Sequence, residues 1–236
     1  ADVLAIYQQL RQAGYTDDRI ILIVEDDIAD NVSNPNKGVI QVTIGGNNVY
    51  ENVEIDYRMS SLKAKDILAI LNGEKSESLP TVIESTENDN LFVFWSGHGV
   101  PGAMCWDEEP YAMTGDDLST VFKDMNLKRR YRKLLMMVEA CFSGGVMEQC
   151  EGIPGMLFIT AANGDETSKA DVFNGEMKVW MSNRFTSTFI EQITDNKDVA
   201  MRDLYYRLFI NTVGSHVMVY NAENYGNLYS ANMSEF

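Results

Sequence analysis

Three short apolar runs constrain this chain most: Ile20-Ile21-Leu22-Ile23-Val24, Leu91-Phe92-Val93-Phe94-Trp95 and Leu134-Leu135-Met136-Met137-Val138. None alternates apolar with polar residues, so none reads as a strand with one wet face. Unbroken runs of this length, bounded by polar or glycine-rich segments, read as strands buried on both faces, as in a parallel sheet covered by helices. Met156-Leu157-Phe158-Ile159, within residues 155–161, reads the same way. Helical spacing fills the gaps. Val3, Ile6, Tyr7 and Leu10 recur after Asp2, which reads as an N-cap, and Gly14 closes that helix. Residues 61–71 turn Leu62, Ile67, Leu68 and Leu71 inward, and residues 114–130 cross from the second run to the third. That crossover suits a right-handed βαβ unit. Residues 180–193 and 199–213 read as two more helices, and 216–220 as a last strand. Residues 39–53 suggest a small hairpin around Gly45-Gly46-Asn47-Asn48. Residues 26–37, 73–90 and 163–178 read as loops, and the polar tail after Asn221 reads as mobile. No composition shift marks a boundary, so residues 1–236 form one α/β domain.

A formal charge of −16 argues against a nucleic-acid partner, because phosphate binding needs clustered cations. The one basic cluster, Lys128-Arg129-Arg130 with Arg132-Lys133, reads as a solvated helix end. No stretch approaches the apolar length needed to span a bilayer. Three cysteines make no disulfide framework, and no close Cys or His pair has zinc-ligand spacing. The chain is therefore expected to use neither metal nor cofactor; its protein or peptide partner is what the motifs and the resemblance below imply.

Chemistry concentrates where two of the apolar runs end. Ser96-Gly97-His98-Gly99 follows the second run, and Glu139-Ala140-Cys141-Phe142-Ser143-Gly144 follows the third. If those strands are parallel neighbours, their C-terminal ends share one edge of the sheet, where open α/β sheets keep their sites. An imidazole and a thiol would meet there. A thiol attacks well only as thiolate; an imidazole can stabilise that thiolate and later protonate a leaving amine. Gly97 and Gly99 let backbone approach a substrate closely, and the N–H groups of Gly99 and Cys141 can form an oxyanion hole. A rival pattern overlaps the first motif. Gly97-His98-Gly99-Val100-Pro101-Gly102 spells the dinucleotide fingerprint, but its third glycine should enter a helix, whereas Ala103-Met104-Cys105-Trp106 is strand-like. His216 reads as structural, Cys105 as a small buried side chain, and Met136 and Met137 as core filler. Asp107-Glu108-Glu109 and Asp116-Asp117 read as a solvated rim with helix-start acids.

These motifs resemble those of legumain-type cysteine peptidases, which belong with the caspases and the catalytic subunit of the glycosylphosphatidylinositol transamidase. The likeness covers almost the whole chain. It runs through Asp26-Asp27-Ile28-Ala29, Asn34-Pro35, Gly38, Asn48-Val49-Tyr50 and Asp56-Tyr57 to Thr160-Ala161-Ala162-Asn163, Glu166-Thr167-Ser168 and Ser215-His216-Val217-Met218. It implies a caspase-like three-layer α/β/α sandwich with a mostly parallel central sheet. By that likeness Cys141 is the nucleophile, His98 the acid/base, and Gly99 and Cys141 the oxyanion donors. Glu139, Thr167 and Ser168 would line an S1 pocket that prefers asparagine, in an extracytoplasmic enzyme. Gly97 stands where legumains carry aspartate and the transamidase subunit carries glycine, and Asn183-Arg184-Phe185-Thr186 also resembles the transamidase branch. A transamidase or peptide ligase on the same site is therefore a second reading, and a catalytically silent peptide-binding module a third. Ala1 falls within what resembles the family's first helix, so the family's first strand and an S1 arginine would precede it. Asn221, Asn224, Asn227 and Asn232 are expected as self-processing sites in a mobile tail.

Overall fold

The computed structural model describes residues 1–106 and 112–236. The expected rim at Asp107-Glu108-Glu109 lies outside the described residues. The chain opens with helix α1 (Asp2–Ala13), ended by Gly14 at φ 101°, followed by strands β1 (Ile23–Val24) and β2 (Tyr57–Arg58) and helix α2 (Ala64–Asn72). Strand β3 (Asn90–Ser96) leads into three short strands, β4 (His98–Val100), β5 (Ala103–Cys105) and β6 (Ala112–Thr114), and then into helix α3 (Gly115–Leu127). Thr114 and Asp117 cap that helix reciprocally, so Asp117 is the helix-start acid expected of it. Strand β7 (Lys133–Glu139), helix α4 (Ser143–Met147) and strand β8 (Met156–Thr160) follow. The C-terminal third holds strands β9 (Ala170–Asn174) and β10 (Val179–Asn183), helices α5 (Arg184–Asp195) and α6 (Met201–Asn211), strand β11 (Met218–Tyr220) and helix α7 (Ala222–Tyr225).

Four strands build the central sheet in the order β11-β8-β7-β3. β3, β7 and β8 are parallel, and β11 closes one side antiparallel. Successive side chains of a strand go to opposite faces, and the apolar runs use both. Leu134, Met136, Val138, Met156 and Phe158 pack with Ile67 of α2, Phe122 of α3 and Val146 of α4. Leu135, Met137, Leu157 and Ile159 pack with Ile6 of α1, Phe185 and Phe189 of α5, and Leu204 and Leu208 of α6. The result is the three-layer arrangement the sequence implies. Among the described residues, β1 and β2 pair only with each other, as a separate parallel pair. Among the described residues, no helix is long and apolar enough to cross a membrane.

Several elements depart from the sequence reading for local reasons. The strand expected over residues 19–25 contracts to two residues: Asp17–Arg19 turns as a 3-10 helix, and the Leu22 N–H goes to the Asp56 carboxylate at 2.9 Å. No hairpin forms over residues 39–53. There Asn48 Oδ1 accepts from the Ile40 and Tyr50 N–H groups while its amide donates to the Gly38 carbonyl, so a side chain replaces the ladder. Asp2 is the first helical residue of α1 and not its cap. The loop expected to reach residue 178 ends early, because β9 and β10 form an antiparallel hairpin. Helix α5 begins only at Arg184, since Asn183 is extended with its amide bonded to Asp2 at 2.6 Å. The tail is packed: Tyr225, Ala231, Met233 and Phe236 are buried against the α1–α5–α6 face. Asn221 is also buried, donating to the Ile153 and Met156 carbonyls, so it is no exposed cleavage site. Four anchors scattered through a polar tail leave no periodic signal to read. Of the basic cluster, Lys128, Arg129 and Arg132 are exposed as expected, whereas Arg130 and Lys133 are half-buried, Arg130 donating to the Ile83 carbonyl at 2.7 Å and Lys133 meeting Glu235.

Candidate active site

The register of β3 on β7 brings the two motifs together. Ser96 lies opposite Glu139, and just beyond the ladder the Gly97 N–H donates to the Glu139 carbonyl at 3.1 Å. His98 and Cys141 each come two residues after that register pair, so both leave the sheet at the same edge. The decisive contact is at Gly99. A Cβ placed there would lie 1.9 Å from the Cys141 carbonyl oxygen and 3.3 Å from the Ala140 side chain. The backbone that carries His98 therefore runs directly against Cys141, at a distance only glycine allows.

His98 opens β4 and is exposed. The chain then turns at Gly102, φ 81°, into β5. A strand follows that third glycine and no helix does, which excludes the dinucleotide reading. Cys141 is half-buried at the turn between β7 and α4. The next residue, Phe142, is left-handed at φ 56° and ψ 15°, which costs a bulky residue about 1–2 kcal/mol. The Phe142 N–H donates to the Glu166 carbonyl at 2.8 Å and the Gly144 N–H to the Ala162 carbonyl at 3.1 Å. The Cys141 N–H makes no such bond among the described residues, which leaves it available as an oxyanion donor. Burial pushes Cys150 up to about 12, and burial also raises Cys105.

Glu139 ends β7 almost completely buried. Its Oε2 accepts from the Thr186 N–H at 3.0 Å and the Thr186 hydroxyl at 3.1 Å. Burial first, and the nearby Asp2 second, raise its pKa to about 8 against the help of Thr186 and Ser168. Ser168 is close enough to favour ionisation but completes no bond to Oε1, which has no partner. Burial thus holds Glu139 toward its neutral acid form. Of the three expected pocket residues, Glu139 and Ser168 come together. Thr167 is exposed, its hydroxyl accepting from Lys169 at 3.0 Å. A cleft of about 410 Å³ opens on the β1 side of His98, between Trp95, Ser96 and Gly97 on one wall and Glu25, Asp26 and Asp27 on the other. Cys141, Thr167 and Ser168 do not line it.

Two residues at the site were not legible as such. Asp2, which reads as a cap, is buried and accepts from the Ser96 hydroxyl at 3.0 Å. Glu166, one acid in a polar loop, is the partner that makes His216 structural, with Oε2 2.9 Å from Nδ1. Neither signal exists in sequence, since each depends on a contact between distant segments.

Comparison with known proteins follows the same lines. The sequence pattern of the peptidase C13 family matches residues 1–235. The chain belongs to the peptidase C13 family. Legumain from Rattus norvegicus is 30% identical over 227 residues, which cover 93% of this C13 chain and 52% of that protein. A vacuolar-processing enzyme from Ricinus communis is 36% identical over 172 residues, 71% of this chain and 34% of that protein. The chain thus spans about half the length of the legumain it matches. Among solved structures, caspase-1 from Spodoptera frugiperda superposes with a TM-score of 0.51 at 12% identity, covering 85% of this chain and 84% of the other. That likeness makes the C13 chain caspase-like in fold.

Proposed function

We propose that this C13 chain is a cysteine endopeptidase. The observation that supports the reading is the seating of Gly99 on the Cys141 carbonyl, which brings the backbones that carry His98 and Cys141 to one sheet edge. In the proposed reaction the Cys141 thiol gives its proton to His98 and attacks a peptide carbonyl. The Gly99 and Cys141 N–H groups receive the developing oxyanion. The C–N bond breaks as His98 returns the proton to the leaving amine, leaving an acyl-enzyme that water then hydrolyses.

The S1 floor supports asparagine at P1. A neutral Glu139 can donate one hydrogen bond and accept another, which suits a carboxamide better than a carboxylate. Ser168 stands beside it as the wall, and Thr167 is the outer residue of the same loop. An amine in place of water would turn the same acyl-enzyme into a ligation product, so transamidation is the second reading. The sequence likeness around Asn183-Arg184-Phe185-Thr186 favours it. A silent peptide-binding module would keep the pocket and lose turnover. The legumain and vacuolar-processing likeness supports an extracytoplasmic compartment. Self-processing, if it occurs, falls at the exposed Asn224 or Asn227. The unpaired edges of β1 and β3 support a further strand, the family's first, between them in a domain that otherwise spans residues 1–236.

The test is hydrolysis of a fluorogenic peptide with asparagine at P1, with and without an added amine. Release that requires Cys141 supports the endopeptidase, and a ligated product supports the transferase. Covalent labelling by a peptide electrophile without any turnover supports the silent module.

A further inference from the structure

Glu166 takes no part in the chemistry above, yet it joins three segments of the site. Its Oε1 accepts from the Asn163 N–H at 3.2 Å and from the His216 N–H at 2.7 Å. Its Oε2 faces His216 Nδ1 at 2.9 Å, and a carboxylate there can only accept, so Nδ1 carries the hydrogen. Its own carbonyl accepts from the Phe142 N–H at 2.8 Å. One residue is thus tied to the start of its loop, to the approach to β11 and to the nucleophile turn.

The attachments converge on a strained point. Phe142, immediately after Cys141, is held left-handed, and such a conformation in a bulky residue persists only where its surroundings over-determine it. Beside its own Gly145 N–H to Phe142 carbonyl bond, the turn is tied by two backbone bonds to the Glu166 loop, through the carbonyls of Glu166 and Ala162. The far side of that loop is tied by the Ser215 hydroxyl, which donates to the Ala161 carbonyl at 2.7 Å. Close packing locks the two segments together: a Cβ on Gly144 would lie 2.9 Å from Asn163 backbone, and one on Gly164 3.2 Å from Gly145. The Glu166 side chain is only 24% exposed. Burial opposes its ionisation, but the bonds from His216 and Asn163 outweigh that and lower its pKa, so it is a carboxylate at neutral pH.

We propose that Glu166, held by His216, is a positioning residue for the nucleophile. It fixes the loop whose carbonyl keeps Phe142 left-handed, and so sets the orientation of the thiol and of the Cys141 N–H. The kinetic consequence rests on the peptidase reading; the positioning is a property of the fold and is tested without it.

Amide hydrogen exchange on the intact chain is that test. Glu166→Ala should speed exchange at Phe142 about tenfold or more while the amides of β7 and β8 stay protected. His216→Ala changes an exposed side chain and should act in the same direction. The double variant should add little to Glu166→Ala alone, because both residues act through one contact. Glu166→Gln keeps an acceptor oxygen and should restore part of the protection. On a peptide substrate, kcat should fall about 10–100-fold in Glu166→Ala with KM nearly unchanged, as when a reacting group is misplaced but binding survives. Unchanged exchange at Phe142 overturns the proposal. So does loss of protection across β7 and β8 together with Phe142, since Glu166 would then serve stability alone. Should Glu166→Ala fail to fold, the same two outcomes in His216→Ala decide. A wild-type chain that cleaves no peptide removes the peptidase reading and leaves exchange to judge the clasp.

Discussion

Strands β7 and β3 are hydrogen-bonded neighbours of equal length, and their burial differs sharply. From Leu134 to Val138, no residue of β7 is more than 1% exposed. On β3, Leu91, Phe92, Val93 and Phe94 are all only half-buried. Composition does not separate them, since both are unbroken apolar runs. Neighbours do: β7 lies between β3 and β8, while among the described residues β3 is paired on one side only. β1 repeats the pattern, with Ile23 and Val24 half-buried and paired only to β2. An apolar run reports the burial that a strand suits, and the strands beside it set the burial that it has.

The largest stability effect should come from the enclosed half. Phe158→Ala removes a buried ring stacked on Phe122 with centroids 5.7 Å apart, and should cost about 3–5 kcal/mol in a urea titration. Next comes the seam between the two strands' motifs. Gly99→Ala places a methyl against the Cys141 carbonyl, and kcat/KM should fall about 100-fold or more as the oxyanion donors are displaced. An alanine variant with wild-type turnover would mean the seam is looser than described.

A third test uses the titratable group buried at the end of β7. Glu139 is raised to about 8 in the fold, against 4.5 for the unperturbed group, by burial first and Asp2 second. Between those values the folded chain holds a proton that the unfolded chain has lost, so stability falls as pH rises through that window. Glutamine mimics the neutral acid. Glu139→Gln should therefore match wild type near pH 4 and exceed it at pH 8 by up to about 4 kcal/mol, read from melts at both pH values. Equal curves would place Glu139 in a wetter setting. The smallest effect should be Val93→Ala on β3, about 1 kcal/mol, because half of that side chain's burial is already missing. A cost equal to that of Phe158→Ala would break the contrast between the strands.

Much of this fold was legible because burial on both faces leaves an unbroken apolar run. The runs at Leu91, Leu134 and Met156 predict β3, β7 and β8, and the ends of the first two predict the sheet edge at which His98 and Cys141 leave. What failed was set by contacts without a local pattern. Asn48 replaces a hairpin ladder with its own amide, Asn183 delays α5 by bonding Asp2, and four scattered side chains pin the tail. Within the site, Glu139 and Ser168 lie close together and Thr167 is exposed. The Glu166–His216 clasp joins residues 50 positions apart, beyond any spacing rule.

The account turns on His98 and Cys141 acting together on one peptide bond. The most direct measurement is turnover of an asparagine-P1 peptide by wild type, His98→Ala and Cys141→Ala, each checked by thermal melt. The account predicts folded variants, no turnover from Cys141→Ala, and a loss of about 10²–10⁴-fold in His98→Ala. Turnover that survives Cys141→Ala, or a His98→Ala variant that works at the wild-type rate, would contradict it.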